Sequence, residues 1–441
     1  MAGMNVGLVS GMDTASLIDQ LIQVEANPQK LLRNKLLDTQ ADAKAYRAVN
    51  TKFDALRTAA EALTKTATWA AATATSSSAG VAATASPGAT AGSVTFTVQS
   101  LASSHSVLSD KSWGATTDTY DLTLPLVVDN LDGTTKAISL DDGATLADVV
   151  SAINTQATGL TATAVKTTTG YRLQVGSAAT GAASDFDLGT GFQVMSKGAD
   201  AKLSVGTSTV GYEATSPTNT FTDVLAGTTF TVSEKAGPVT VSVTSNPEAV
   251  ATAVETLVKA ANDVLSSIKT YTDSNGGSAA VLKGDNTLRS LSGKVLQAVS
   301  DAIGEESAAK AGLQLDRYGA ITFTSETFLA TLKSTPEVAQ RLVNGTGSGT
   351  TAVPGVAQRL LTLAKDATNS TTGALSLRAK SQDNLAKDLE IRIEDWDRRL
   401  ELRRANLTAQ FTAMESALGT LQNKSSWLSA QLSQLAPPSK D

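Results

Sequence analysis

His105 is the only histidine in the 441 residues, and cysteine is absent. The histidine stands in Ser103-Ser104-His105-Ser106, just after an alternating run, a setting that could suggest a hydrolase. A Ser-His-acid triad needs an exposed nucleophile and an oriented carboxylate, and no Gly-x-Ser-x-Gly elbow is present to offer such a serine. The expected state is therefore an exposed loop histidine. One His without Cys is a poor ligand set for zinc, and no disulfide or thiol nucleophile can form. Asp141-Asp142-Gly143 and the carboxylates from Asp129 to Asp132 have the composition of turns and lack the spacing of a calcium loop. Gly345, Gly347 and Gly349 are not followed by Lys and leave no clear strand, unlike a phosphate loop. Paired carboxylates for glycoside hydrolysis meet only in a fold, so the sequence selects none and leaves that reading open. No catalytic, cofactor or metal site emerges.

What does stand out is apolar spacing. Leu389, Ile393, Trp396 and Leu400 recur at four, three and four. After an irregular step across Arg404 come Leu407, Phe411, Met414, Leu418, Leu421, Ser425, Leu428, Leu432 and Leu435, at fours and threes. This is the seam of a coiled coil. The step across Arg404 is a four-residue stutter, which locally unwinds a left-handed supercoil. Asp388 with Arg392, Glu394 with Arg398, and Asp395 with Arg399 are acid-before-base pairs at i,i+4, each adding a few tenths of a kcal/mol to a helix. A helix of roughly 45 residues would be about 70 Å long, so its stripe needs a partner helix.

The other end of the chain has matching signals. Asp13 is placed to cap a helix with Leu17, Ile18, Leu21, Ile22 and Val24 on one face. Asn27 and Pro28 break it and open a second helix running to about Lys65, with Tyr46, Val49, Phe53, Leu56, Ala60 and Leu63 as its seam. Pairing the two ends buries both stripes. For Leu17–Val24 and Leu407–Leu435, burial within the chain and an assembly role are about equally supported, because both lie at chain ends with few sequence neighbours to cover them.

Aromatic residues make up 4 % and charged residues 18 %, with 33 Gly, which suits elongated modules with thin cores better than one dense core. A net charge of −6 and an isoelectric point near 5.1 argue against nucleic acid as a partner. Arg398, Arg399, Arg403 and Arg404 are interleaved with acids and read as a solvated coiled-coil flank. Met1–Asn27 has no basic region followed by an apolar one, and no run of about 18 apolar residues exists to enter a membrane. Export would need a route that leaves the terminus intact.

Between the helical ends the pattern changes. Met1–Met12 is expected to be a flexible start, and Ala70–Gly92 marks a boundary rich in Ala, Ser, Thr and Gly. Alternation at Val94, Phe96 and Val98, and from Tyr120 through Leu122, Leu124 and Leu126 to Val128, predicts strands. Asp132-Gly133 turns into a strand through Ile138 and Leu140. A short helix spans Leu146–Asn154, and a hairpin joins Leu160–Val165 to Tyr171–Val175. Further strands lie near Lys202–Val205, Thr228–Val232 and Val239–Val243. Asn246 and Pro247 then open a helix with the seam Val250, Val254, Leu257, Ala261, Val264, Ile268 and Tyr271. Shorter helices follow at Thr287–Ala302, Ser325–Leu332 and Pro336–Val343, with an extended piece at Ala320–Phe323. A mobile loop is expected at Asn344–Gly355. Helix resumes by Val356, is interrupted near Asn369–Gly373, and continues into the terminal coil.

The start Gly7-Leu8-Val9-Ser10-Gly11-Met12-Asp13-Thr14, with Leu17-Ile18, Leu21-Ile22, Glu25 and Pro28, resembles the N-terminal signature of the flagellar filament cap family, FliD or hook-associated protein 2. Met12 stands where that family usually has Leu. The end resembles it too, through Leu400, Arg403, Ala409-Gln410-Phe411-Thr412-Ala413-Met414-Glu415, Leu421 and Ser425-Ser426-Trp427-Leu428. Between them, Thr145–Asn154, Gly170-Tyr171-Arg172-Leu173, Phe221–Gly227 and Gly284–Leu291 fall in the family's order.

The resemblance implies a non-enzymatic axial protein, without cofactor or metal, at the extracellular tip of the bacterial flagellum. It would leave the cell through the flagellar type III apparatus with its N-terminus uncleaved. Implied partners are a homo-oligomeric ring of the same chain, flagellin, the hook-filament junction proteins, and a cytoplasmic export chaperone at the C-terminal coil; nucleic acid and membrane insertion are not among them. In that role the chain would promote folding and insertion of flagellin and prevent its loss. The expected fold is an elongated multidomain α+β chain with pairing coiled-coil termini, a helical domain and two mainly β domains inserted. Residues 1–40 form an N-terminal leg, 41–72 and 247–385 the two parts of the helical domain, 73–105 and 199–246 those of a β domain. Residues 106–198 form an inserted β-rich domain with a short helix, and 386–441 a C-terminal leg. The expected stripe for oligomer and flagellin is Leu17, Leu21, Leu407, Phe411, Met414, Leu418, Leu421, Leu428 and Leu432. Rival readings are another axial or junction protein of the flagellum, or a secreted adhesin or glycan-acting enzyme using the β domains.

Overall fold

The computed structural model describes residues 13–122, 126–157, 159–206, 210–346 and 352–435. The expected flexible start, Leu124 of the expected strand, Gly347 and Gly349, and the side chain of Leu435 lie outside what is described. The fold is α+β, and the chain divides into two compact units, one of Met1–Thr64 with Ala253–Asp441 and one of Lys65–Thr252.

The first unit opens with α1 (Thr14–Glu25) and α2 (Asn27–Thr64). Asp13 caps α1, its Oδ1 accepting the Ser16 N–H at 3.0 Å. The break expected at Asn27-Pro28 is slight. Only Ala26 lies between the helices, and the Ala26 N–H still reaches the Ile22 carbonyl at 2.9 Å while the Lys30 N–H reaches that of Ala26 at 3.0 Å. Proline in the first turn of α2 costs little, because an N–H there has no intrahelical partner.

The second unit is mainly β. After α3 (Thr66–Trp69) come β1 (Ala72–Ser76), β2 (Val81–Ala85), β3 (Gly92–Ser100), β4 (Ser106–Ser109), β5 (Leu126–Asp129) and β6 (Thr135–Ile138). Then follow α4 (Leu146–Gln156), β7 (Leu160–Thr167), β8 (Gly170–Ser177), β9 (Phe192–Ser196), β10 (Ala201–Gly206), β11 (Gly211–Ser216), β12 (Thr220–Thr222), β13 (Thr228–Val232) and β14 (Val239–Ser245). A five-stranded sheet ordered β1-β14-β3-β10-β11 and a three-stranded one ordered β12-β13-β2 enclose a core in which Phe96 and Phe230 stack at 5.4 Å. A second core lies between α4, the β5–β6 hairpin and the four-stranded sheet β7-β8-β4-β9, with Ile138, Leu146, Val149, Ile153 and Leu173 at its centre. Thr145 and Asp148 form a reciprocal capping box at the start of α4.

Three expectations change here. Ala70–Gly92, read as a boundary, carries β1 and β2: alanine and threonine pack thinly in a sheet, so their alternation is weak in sequence. The strand expected from Tyr120 begins only at Leu126. Tyr120 instead stacks on Trp113 at 5.5 Å and donates its N–H to the Ala144 carbonyl, serving the core from outside the ladder. Burial pushes its phenol up to about 12. His105 is not exposed but 4 % accessible, edge-on to Phe186 at 4.8 Å, with Nδ1 3.0 Å from Asp185 Oδ1. It packs where the chain crosses from one β core to the other, beside the Ser103–Ala199 bridge.

The chain returns to helix at α5 (Pro247–Thr272), inside which the division between units falls. Asn246 caps it through the Ala249 N–H at 3.0 Å. Next are α6 (Asn286–Ser300), β15 (Leu313–Leu315), β16 (Ile321–Phe323), α7 (Ser325–Ser334), α8 (Pro336–Val343), β17 (Gly345–Thr346) and β18 (Val353–Pro354). The unit ends with α9 (Val356–Thr368) and α10 (Ala374–Leu435). The ends of the loop expected to be mobile are paired, Gly345 with Pro354 and Thr346 with Val353.

Glu306 binds Lys310 at 3.0 Å and Arg341, and these bonds hold its carboxyl below the usual range. A depressed carboxyl stabilises the fold above its unfolded-state value and ceases to as pH falls through the folded one. Glu306→Gln should therefore lower the melting temperature at pH 7, with the difference shrinking as the pH is taken below the ordinary carboxylate range, as differential scanning calorimetry would read.

Candidate assembly surface

The α2 seam of Tyr46, Val49, Phe53, Leu56, Ala60 and Leu63 is wholly buried, packed along α9 and α10. Polar bonds fix its register. Tyr46 donates to Asp285 Oδ2 at 2.6 Å, and burial, with that carboxylate beside it, drives the phenol upward. Farther along, Gln29 donates to the Ile393 carbonyl at 3.3 Å and to Asp397 Oδ1 at 2.5 Å. Leu389, Ile393 and Leu400 are buried and Trp396 half-buried, so the first half of the C-terminal seam is internal core. Both sides of the Arg404 stutter remain in register, since Leu407 is 7 % exposed.

The charge around this seam sorts differently from the i,i+4 expectation. Asp388 does pair with Arg392 at 3.0 Å. Arg398, however, pairs with Asp395, and Arg399 lies over the Trp396 ring at 4.6 Å. Arg403 binds Glu25 at 3.0 Å and Arg404 binds Asp19, so these arginines tie α1 to α10 rather than forming a purely solvated flank. Each of these half-exposed pairs contributes at most about 1 kcal/mol. With a helix of only 12 residues, marginal by itself in water, α1 is lightly held.

Beyond Leu407 the seam becomes progressively more exposed. Phe411 and Met414 are half-buried, and Leu418, Leu421, Leu428 and Leu432 are exposed, Leu421 and Leu432 each at 62 %. Trp427, also exposed, widens the stripe. On α1 the expected single face is split. Thr14 and Ile18 turn inward, whereas Leu17, Leu21 and Val24 face solvent together with Leu31 of α2. The spacing of 17, 21, 24 and 31 is itself heptad-like and was available in the sequence; including Ile18 and Ile22 on the same face obscured it. The expected stripe residues thus fall into an internal member, Leu407, an intermediate pair, and two uncovered patches.

Residues 198–423 match the family model described as the C-terminus of flagellar hook-associated protein 2, and residues 10–105 match the one for its N-terminus. The chain belongs to the flagellar hook-associated protein 2 family. A flagellin hook IN motif also matches residues 126–179, the hairpin, α4 and the strands after it. The hook-associated protein 2 of Escherichia coli is 25 % identical over 478 aligned residues, covering 97 % of each chain. The lateral flagellar hook-associated protein 2 of Vibrio parahaemolyticus is 26 % identical over 299, covering 63 % of this chain and 66 % of that one. The solved D1-D2-D3 domains of the E. coli flagellar cap protein FliD share the fold, with a TM-score of 0.58 at 22 % identity, over 77 % of this chain and 99 % of that one.

Hook-associated protein 2 is known as the flagellar filament cap, a structural family rather than an enzyme family. Membership implies a flagellum-associated, extracellular place, association with the filament and an oligomeric cap. Among the described residues no helix is long and apolar enough to cross a membrane.

Proposed function

We propose that this chain caps the distal tip of the flagellar filament, where it promotes the folding and insertion of exported flagellin and prevents its escape. The observation carrying this reading is the exposed stripe Leu418–Leu432 on a helix whose earlier seam leucines, through Leu407, are buried. Burying an exposed leucine recovers roughly 2 kcal/mol, so such a stripe favours exchange onto partner helices. In this reading Leu17, Leu21, Phe411, Met414, Leu418, Leu421, Leu428 and Leu432 meet other copies in a ring and flagellin beneath it, with Leu407 anchoring the stripe to its own fold. The hook-filament junction proteins are the platform on which the ring first sits, and a cytoplasmic chaperone covers the C-terminal coil before export through the flagellar type III apparatus. Residues 1–40 and 386–441 act as legs, 41–72 with 247–385 as the helical domain, 73–105 with 199–246 as one β domain and 106–198 as the other.

Immunogold labelling of intact flagella tests the placement. Gold at the distal end is expected; gold confined to the hook-filament boundary would make this a junction component instead.

A further inference from the structure

The helical unit holds a cavity of about 600 Å³ away from the terminal stripes, lined by α5, α6 and the turn between β15 and β16. Its apolar floor is Leu265, Ile268 and Leu296, and its charged lining is Lys269 and Arg289 without a carboxylate. In a chain of net charge −6, a cavity with only cations among its charged residues is a local reversal of sign. Neither cation forms an ion pair among the described residues; the Arg289 guanidinium donates only to Asn286 Oδ1, at 3.3 Å.

The walls are fixed in advance. Asn262 bonds both backbone groups of Ile321, donating to its carbonyl at 2.8 Å and accepting its N–H at 2.9 Å. That locks the turn onto α5. Asp316 Oδ1 accepts the N–H groups of Tyr318 and Ala320 at 2.8 Å each, so its charge is spent on the turn. Tyr318 stands 77 % exposed at the rim, yet Arg317 lies over its ring at 4.8 Å and donates to its hydroxyl at 2.6 Å. An exposed tyrosine ordered by an arginine, above an apolar floor, is the residue combination that anchors protein interfaces.

We infer that this cavity is a docking site for a peptide segment of a partner protein that carries carboxylates beside a leucine-sized apolar side chain. The carboxylates pair with Lys269 and Arg289, the apolar group enters over Leu265 and Leu296, and Tyr318 closes one side. Charge complementarity selects this occupant, and the inference does not depend on the cap role.

The test is fluorescence anisotropy on the full chain with a fluorescein-labelled peptide repeating leucine-glutamate-alanine, and with the same peptide carrying glutamine for glutamate. The glutamate peptide should bind at least about tenfold more tightly, one decade being the scale of a single charge-assisted contact. Lys269→Gln with Arg289→Gln should erase that difference, and Tyr318→Ala should weaken binding of both peptides. The paired control Lys259→Gln with Lys333→Gln should change nothing. Equal affinity of the two peptides, binding by neither, or a preference that survives loss of both cavity cations would overturn the assignment.

Discussion

Leu418→Asp combined with Leu428→Asp should abolish the proposed capping while both units of the chain remain folded. Each leucine is exposed in the free chain, so its replacement changes folding by no more than about 0.5 kcal/mol. In an assembled cap the same positions would be buried. Losing two leucines forfeits about 4 kcal/mol of apolar burial, close to a thousandfold in affinity, before the cost of desolvating two carboxylates. Circular dichroism should give unchanged melting, while electron microscopy of cells carrying the variant should show stunted or missing filaments. Normal filaments would mean that this stripe is not the contact surface.

The second large effect lies in the core that presents the stripe. Phe53 is fully buried in the α2 seam, and Phe53→Ala leaves a cavity costing about 3–5 kcal/mol. For a unit of this size that lowers the melting point by roughly 10 °C. The matched change Phe230→Ala removes a fully buried ring from the β unit, whose core forms separately from that of the helical unit. Calorimetry should show each substitution lowering a different transition. One shared transition, lowered equally by both, would contradict the division into two cores.

The contrast between the two experiments follows from what sequence patterns encode. Heptad spacing identified the α2 seam residue by residue and the buried leucines of the C-terminal seam through Leu407, and Asn246-Pro247 fixed the start of α5, because caps and long-period stripes are local signals. Spacing alone did not show where the C-terminal stripe passes from buried to exposed. Leu407 and Leu421 have the same heptad character, yet Leu407 is buried and Leu421 is exposed. The thin strands β1 and β2 were hidden because alanine and threonine carry little hydrophobic contrast. The buried state of His105 depended on Phe186 and Asp185, some 80 residues farther along the chain, and Arg403 and Arg404 found partners in α1 that lie far away in sequence. Long-range pairing of this kind leaves no periodic trace.

The most direct test of the cap role is deletion of the gene in its source organism, measuring filament length by electron microscopy against flagellin monomer in the medium. Intact hooks with flagellin lost as soluble monomer, and filaments regrown when the purified protein is added back, are the predicted result. Filaments of normal length on the deletion strain would contradict it.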